Sequence, residues 1–417
     1  MQTKLADFIR NSPQGQEADA ILRSCVHCGF CLATCPTYQI LGDELDSPRG
    51  RIYLMKQMLE GQPVTQKTQL HLDRCLTCRA CETTCPSGVR YGALVDIGRD
   101  IVEKQVKRNL RSEVFRYTLR KILPNPLLFN TLLRLGQVVR PFLPQSLKRK
   151  IPVKSGFINA WPAERHARKM LVLAGCVQPS LAPNINIATA RILNSLGISL
   201  IKAKNAGCCG AVTFHLNAQQ DGLDYMRRNI DAWWPIVEQK EIEAIVMTAS
   251  GCGVTVREYG HLLSHDPDYA EKAANISALT KDISEVLLAE AGNLQELIKL
   301  RLEPNHTKLS FHSPCTLQHG MKIRGVVEQI LILAGFDLTV VPNAHLCCGS
   351  AGTYSILQPE LSQQLLKNKV IALESGKPAQ VATANIGCLM HLQNGISVPV
   401  KHWIELLDER LTCHNNG

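Results

Sequence analysis

The stretch CVHCGFCLATCP at residues 25–36 recurs as CLTCRACETTCP at residues 75–86. Each string spaces its cysteines by three, three and four residues and ends in Cys-Pro. Three thiolates from one tight loop cover a face of an iron–sulfur cubane. In two-cluster proteins the fourth, just before the proline, crosses to the other cube. The spacing therefore predicts two [4Fe–4S] clusters, one on Cys25, Cys28, Cys31 and Cys85, the other on Cys75, Cys78, Cys81 and Cys35. The proline keeps a helix from running through the fourth ligand. Zinc sites close with four ligands from paired C-x-x-C elements and need no third step or Cys-Pro end. A disulfide framework belongs to short secreted chains.

Working outward, SPRGRIYLMKQMLEG (47–61) places Ile52, Met55, Met58 and Leu59 at helical spacing, with Gly61 as a stop. VRYGALVDIGRDIVEKQVKR (89–108) reads as a further helix. Residues 1–105 are thus expected to form a small α-helical two-cluster ferredoxin domain. Arg49, Arg51, Arg79 and Arg90 lie near the strings, either tuning anionic clusters or serving as ordinary helix-surface charge.

The chain has 417 residues, 17 cysteines and a net charge of +10. The N-terminus lacks an apolar signal core, and no run reaches the roughly 18 apolar residues of a spanning helix. A reducing cytoplasm is the expected compartment, with thiols held for metal and the protein soluble or peripheral to the inner membrane. Between Lys104 and Lys150, twelve Lys or Arg face one acid, Glu113, among patches rich in leucine. This connector, residues 106–168, is broken by Pro124, Pro126, Pro141, Pro144, Pro152 and Pro162. Basic and amphipathic together, it fits an anionic membrane surface, an acidic partner subunit, or the protein's own core. Nucleic acid is excluded by the few aromatics and the lack of any nucleic-acid motif.

From Met170 an internal repeat begins. Cys176 corresponds to Cys315, Cys208-Cys209-Gly210 to Cys347-Cys348-Gly349, and Cys252 to Cys388, with a lag of 32 residues from first cysteine to second in both copies. Short apolar runs alternate with helical patterns, which predicts two α/β domains with parallel sheets, 169–292 and 307–417. Gly197 and Gly335 are expected to end equivalent helices. Each cysteine follows an apolar run, so the cysteines gather at the carboxyl ends of strands, where open α/β sheets bind ligands. Cys176, Cys208, Cys209 and Cys252 then make one site. Cys315, Cys347, Cys348 and Cys388 make another, with His312, His345 and His391 within reach. Each site is open to an additional iron–sulfur cluster, to zinc, or to a role as buried thiols that shape the loops. Cys413 stands alone.

At these residues the chain resembles the cysteine-rich, or CCG, proteins. The wordings CVHCGFCLATCPTYQILGDELDSPRGRIYLMKQ, RCLTCRACETTCPSGVRYG, AGCCGAV, ASGCG, HLCCGSAGTYS and TANIGC are similar to those of iron–sulfur subunits of glycolate oxidase (glycolate dehydrogenase). The resemblance implies an electron-transfer subunit of a complex that oxidises glycolate to glyoxylate, with D-lactate as a further candidate substrate. Flavin subunits carrying FAD would do the oxidation, and this chain would pass electrons towards a membrane quinone or another acceptor. No G-x-G-x-x-G follows a strand and no P-loop is present, so no hydride acceptor and no catalytic residue is expected here. In heterodisulfide reductases the motif ends Cys-x-x-Cys, whereas here the copies end Cys252-Gly-Val-Thr255 and Cys388-Leu-Met-His391. The alternatives are a CCG-site reductase of disulfide or quinone, and the equivalent subunit of a glycerol-3-phosphate or lactate dehydrogenase.

Overall fold

A computed structural model describes residues 1–144, 148, 151–153, 156, 160–301 and 306–412. Cys413, Arg149 and Lys150 lie outside the described residues.

Side-chain caps start the helices of the N-terminal domain. Ser12 accepts from the Gly15 N–H ahead of Pro13–Ser24, Ser47 from the Gly50 N–H ahead of Pro48–Leu59, and Thr65 from the Thr68 N–H ahead of Gln66–Asp73. Proline fills the first helical turn of the first two, where its missing N–H costs nothing. Pro48–Leu59 buries Ile52, Met55, Met58 and Leu59, the face the sequence predicts, and packs against Tyr91–Gln105. No strand occurs among the described residues of this domain.

Each repeat folds around a four-stranded parallel sheet. β1 (Arg168–Val172), β2 (Ile198–Ile201), β3 (Ile245–Met247) and β4 (Thr280–Asp282) are ordered β2-β1-β3-β4. β5 (Lys308–His312), β6 (Asp337–Leu338), β7 (Gln380–Thr383) and β8 (Val400–His402) are ordered β6-β5-β7-β8. The topologies are identical, and the strand order reverses between the first and third strands of each sheet. The expected α-helical domain followed by two α/β repeats is the architecture found. Helices Asn184–Ser195 and Val326–Leu333 end before Gly197 (φ 78°) and Gly335 (φ 85°), where the left-handed backbone favours glycine.

The two repeats exchange helices. Ile283–Ala289, which follows β4, packs on Val326–Leu333 of the second repeat. Trp403–Thr412, which follows β8, packs on Asn184–Ser195 of the first, where Arg191 pairs with Asp408. One apolar core consequently runs through both repeats, from Ile185, Ile192 and Val246 to Leu331, Val381 and Trp403.

The connector forms helices Leu110–Ile122 and Pro126–Val139, capped by Asn109 and Asn125. The first is tied to the ferredoxin domain by Arg116, which donates to Asp73 at 3.1 Å. The second buries no residue and rests on Gln178–Leu181, just after Cys176. The expectation that the connector packs its apolar side on the protein's own core fails for this helix: Leu127 is 80% exposed and Phe142, just beyond, 87%.

Candidate metal centres

The two cysteine strings wrap in the same way. His27 and Thr77 occupy matched positions with φ of 55° and 52°, and Gly29 and Arg79 do so with φ of 84° and 60°. Left-handed backbone at a non-glycine residue costs about 1–2 kcal/mol and persists only where the surroundings over-determine it. Its recurrence in both loops marks a built cradle rather than an accident of packing. The turn aims backbone N–H groups at sulfur, as where Thr77 N–H meets Cys75 Sγ at 3.4 Å. Cys35 and Cys85 both sit in extended backbone, Cys35 capping helix Pro36–Leu41 and Cys85 closing helix Ala80–Thr84.

The strings cross in space. Cys35 lines one cavity with Cys75, Cys78 and Cys81, beside Arg51 and Tyr91. Around the other centre, burial pushes the Cys25 thiol up, and so do the neighbouring Cys85 and Cys28 thiols. Burial likewise raises Cys31 to about 11, with Cys25 and Cys28 adding to it. Each place thus brings together three thiols of one string and the last of the other, a donor set that fits a cubane. Burial raises the Cys25, Cys31, Cys78 and Cys81 thiols, and a bound cation would displace their protons.

Charged and polar groups enclose the centre of Cys35, Cys75, Cys78 and Cys81. Arg51 is 1% exposed, and its guanidinium reaches Cys35 Sγ (4.0 Å), Thr37 Oγ1 (3.1 Å), the His71 carbonyl (2.7 Å) and Asp46 Oδ1 (3.2 Å). Asp46 also takes Arg74 at 2.8 Å and His71 at 3.1 Å. Arg99 donates to the carbonyls of Leu72 and Cys75 and to Thr77 Oγ1, which staples the loop of the second string. The Tyr91 hydroxyl donates to Cys75 Sγ at 3.6 Å. Of the four arginines singled out in the sequence, Arg51 and Arg79 border this cavity. Arg49 pairs with Glu44, and Arg90 with Glu17. Arg99 and Tyr91 were missed, because only the buried position of Tyr91–Gln105 turns them towards the loop.

In both repeats the cysteines converge at the carboxyl ends of strands. Cys176 follows β1, Cys208 and Cys209 follow β2, and Cys252 lies in the first turn of Ser250–Arg257 after β3. The Cys176 thiol is raised well above its ordinary value by its hydrogen bond with Cys208 and by burial, and Cys209 in turn contacts Cys208 and Cys252. The second copy repeats the chain of contacts: Cys315 donates to Cys347 at 3.8 Å, and Cys348 touches Cys347 and Cys388. The glycine of each motif has a steric reason. Gly210 (φ 90°) and Gly349 (φ 92°) present their N–H to Cys208 and Cys347, and a Cβ at either would lie 2.6 Å from a helix carbonyl, that of Gly222 or Ser362. All sixteen described cysteines are free.

The three histidines near the second set part company. His312 meets the thiols, its ring within 4.8 Å of Cys348 and Cys388. His391 is held by Ser362 Oγ at 3.3 Å and by the Cys348 backbone. His345 lines a surface hollow with Gln318 and Arg324 instead. In the first copy Thr255, where the heterodisulfide motif has its last cysteine, turns its hydroxyl onto the Gly251 carbonyl at 3.1 Å.

The second repeat abuts the ferredoxin domain at its thiols. Leu76 and Cys78 of the second string pack with Cys315, Cys347, Tyr354 and Leu365 in one apolar cluster. The Tyr354 hydroxyl donates to the Arg74 carbonyl at 3.1 Å, and Thr83 meets His319 at 3.0 Å. The first repeat is joined to the same domain by the ion pair of Arg79 with Glu258 and by His215 Nδ1, 3.2 Å from Asp96 Oδ1.

Residues 21–89 match the 4Fe-4S dicluster domain family, and residues 170–257 and 309–393 match the cysteine-rich domain family. The glycolate oxidase iron–sulfur subunit of Escherichia coli (strain K12) is 56% identical over 411 residues, covering 99% of both chains. The probable glycolate oxidase iron–sulfur subunit of Bacillus subtilis (strain 168) is 30% identical over 93% of this chain and 92% of its own. The lactate utilization protein A of Bacillus velezensis is 28% identical over 58% of this chain and all of its own length.

Proposed function

This chain belongs to the family of glycolate oxidase iron–sulfur subunits, and from that premise we propose that it is the electron relay of a complex whose flavin-bearing subunits oxidise glycolate to glyoxylate. When bound, the two clusters would take and give single electrons, the step that a two-electron flavin needs from a partner. The chain's own residues hold the relay together. Cys25, Cys28, Cys31 and Cys85 would hold one cluster, and Cys75, Cys78, Cys81 and Cys35 the other, so that each string anchors both cubes side by side. Arg51, Arg99 and Tyr91 surround the second centre with positive charge and donors, which favours an anionic cluster.

The observation that carries the reading is the shared wall between Cys78 and the Cys315–Cys347 pair. It makes the centre of Cys35, Cys75, Cys78 and Cys81 contiguous with the second repeat. An exit for electrons therefore lies through the second repeat.

The connector supplies a place to dock. No helix among the described residues is long and apolar enough to cross a membrane. Helix Pro126–Val139 exposes Leu127, Leu135 and Val138, and Arg111, Lys121 and Arg134 stand exposed on the same segment. An apolar face flanked by basic side chains fits a helix lying in the headgroup layer of an anionic membrane, which would bring a quinone pool within reach.

The test is optical. The chain alone should show a broad thiolate-to-iron absorption that dithionite bleaches and glycolate leaves untouched. With the flavin subunits added, glycolate, or D-lactate if that is the substrate, should bleach it. A reconstituted complex that turns over substrate while this absorption stays unbleached would overturn the relay.

A further inference from the structure

Besides His391 in the place of Thr255, two further buried residues set the second repeat's centre apart from the first. His312 lies three positions before Cys315, and Leu173 fills the same place before Cys176. His312 is 2% exposed, yet neither ring nitrogen has a hydrogen-bond partner among the described residues. Its ligand atom and the sulfurs of Cys348 and Cys388 all lie within 4.8 Å of one another. Buried polar groups are almost always paired, so an orphan imidazole aimed at two thiols needs a partner that protein atoms do not supply.

Lys369 is the second difference. It lies seven residues beyond Ser362, whose carbonyl packs on Gly349, and Asn229 lies seven beyond Gly222, which packs on Gly210. Asn229 is satisfied by the Cys208 carbonyl and the Tyr259 hydroxyl. Lys369 is 2% exposed, and its Nζ donates only to the carbonyls of Asn343 and Ala344, with no carboxylate paired to it among the described residues. Burial pushes the Lys369 amine down from its ordinary value, and the groups it faces are the thiols of Cys348, Cys347, Cys315 and Cys388. A buried ammonium without a carboxylate is sustained by another anion. A metal held by several thiolates is such an anion, and the first repeat has neither feature.

We infer that the second repeat is a mixed cysteine–histidine metal centre in which His312 is a ligand beside Cys348 and Cys388, and that the first repeat is not its equivalent. The ligand set takes a thiophilic transition metal, zinc or iron, the iron alone or within a cluster. A tetrahedral ion places thiolate sulfur at about 2.3 Å and imidazole nitrogen at about 2.0–2.1 Å, so its ligand atoms stand roughly 3.5–4 Å apart. That is a small closure from the spacing seen here. Asn385 Nδ2, 3.6 Å from Cys388 Sγ, would steady one of the sulfurs.

The full-length chain, purified without oxygen, should hold zinc or iron beyond the roughly eight irons of two cubanes. X-ray absorption at the zinc edge, or pulsed EPR with 15N-histidine for iron, should show an imidazole nitrogen bound to it. The two measurements distinguish the metals. His312→Leu, the first repeat's own residue at this place, should abolish the nitrogen signature and weaken metal retention tenfold or more. His312→Gln serves in its place if the leucine variant fails to fold. His391→Gln should keep the signature. No metal beyond the two cubanes, metal without a bound imidazole, or a signature that survives both His312 variants would each overturn the assignment. Failure of glycolate to bleach the cubanes would sink the relay and leave this centre standing.

Discussion

Arg51→Met should lower the reduction potential of the cluster that Cys35, Cys75, Cys78 and Cys81 would hold. The guanidinium comes within 4.0 Å of Cys35 Sγ and is 1% exposed, so solvent screens it little. An electron added to the cube sits about 6 Å from that charge, and at an effective dielectric of about 20 the attraction is about 3 kcal/mol. For a one-electron couple this is on the order of 0.1 V. Dye-mediated titration followed by EPR would read the shift, with iron content checking that both clusters remain. Asp46 keeps Arg74 at 2.8 Å in the variant, so its carboxylate is not stranded. Arg51→Lys preserves the charge and should recover most of the shift. Arg49→Met, whose parent side chain is partly exposed and paired with Glu44, should move the potential far less. A potential in Arg51→Met within ~20 mV of the parent, a small fraction of the Coulomb figure, would refute the reasoning.

Glu405 is raised to about 7, first by burial, while the unfolded chain titrates near the ordinary carboxylate value. The folded state therefore binds its proton more tightly, and stability falls as pH rises from about 4.5 to about 7. Glu405→Gln should stabilise the protein at pH 8 by roughly 1–3 kcal/mol and change little near pH 4. Equal gains in thermal midpoint at both pH values would rule this out. Gly349→Ala should cost about 2–4 kcal/mol, from its left-handed backbone and a Cβ forced against the Ser362 carbonyl. Gly352→Ala, with φ of 61° and nothing within 4 Å of the added carbon, should cost only about 1–2 kcal/mol. Equal melting temperatures for the two would show that close approach is not what Gly349 serves. Leu127→Asp with Phe142→Asp should abolish flotation with vesicles rich in phosphatidylglycerol while iron content stays constant. Undiminished flotation would clear the connector of any membrane role.

The cysteine strings were legible because ligand spacing around a cube is local: three sulfurs from one turn need three fixed intervals. The repeat was legible because its 32-residue lag survives divergence of everything between the cysteines. The carboxyl-end placement of Cys176, Cys208 and Cys252 followed from their positions just after apolar runs. What stayed hidden depends on burial across distant segments. Nothing local marks Arg99 or Lys369, whose roles arise only as their helices close over the loops that they bind. The helical pattern of the connector was readable, but whether its apolar face meets protein or solvent is decided by the neighbours it lacks. His312 looked like one of three equivalent histidines, and only their differing partners separate it from His345 and His391.

The exchanged helices also bear on how the chain is made. Arg191 and Asp408 are 217 residues apart, and Trp403–Thr412 closes the core around Asn184–Ser195. On a ribosome adding about 5–20 residues per second, the first repeat must wait on the order of ten seconds or more for its last helix. The apolar core around Asn184–Ser195 stays open for that interval, and the wall of the second string waits for Leu365. The ferredoxin loops, complete by residue 105, can receive their iron while synthesis continues; the core that the two repeats share closes only once Trp403–Thr412 has emerged.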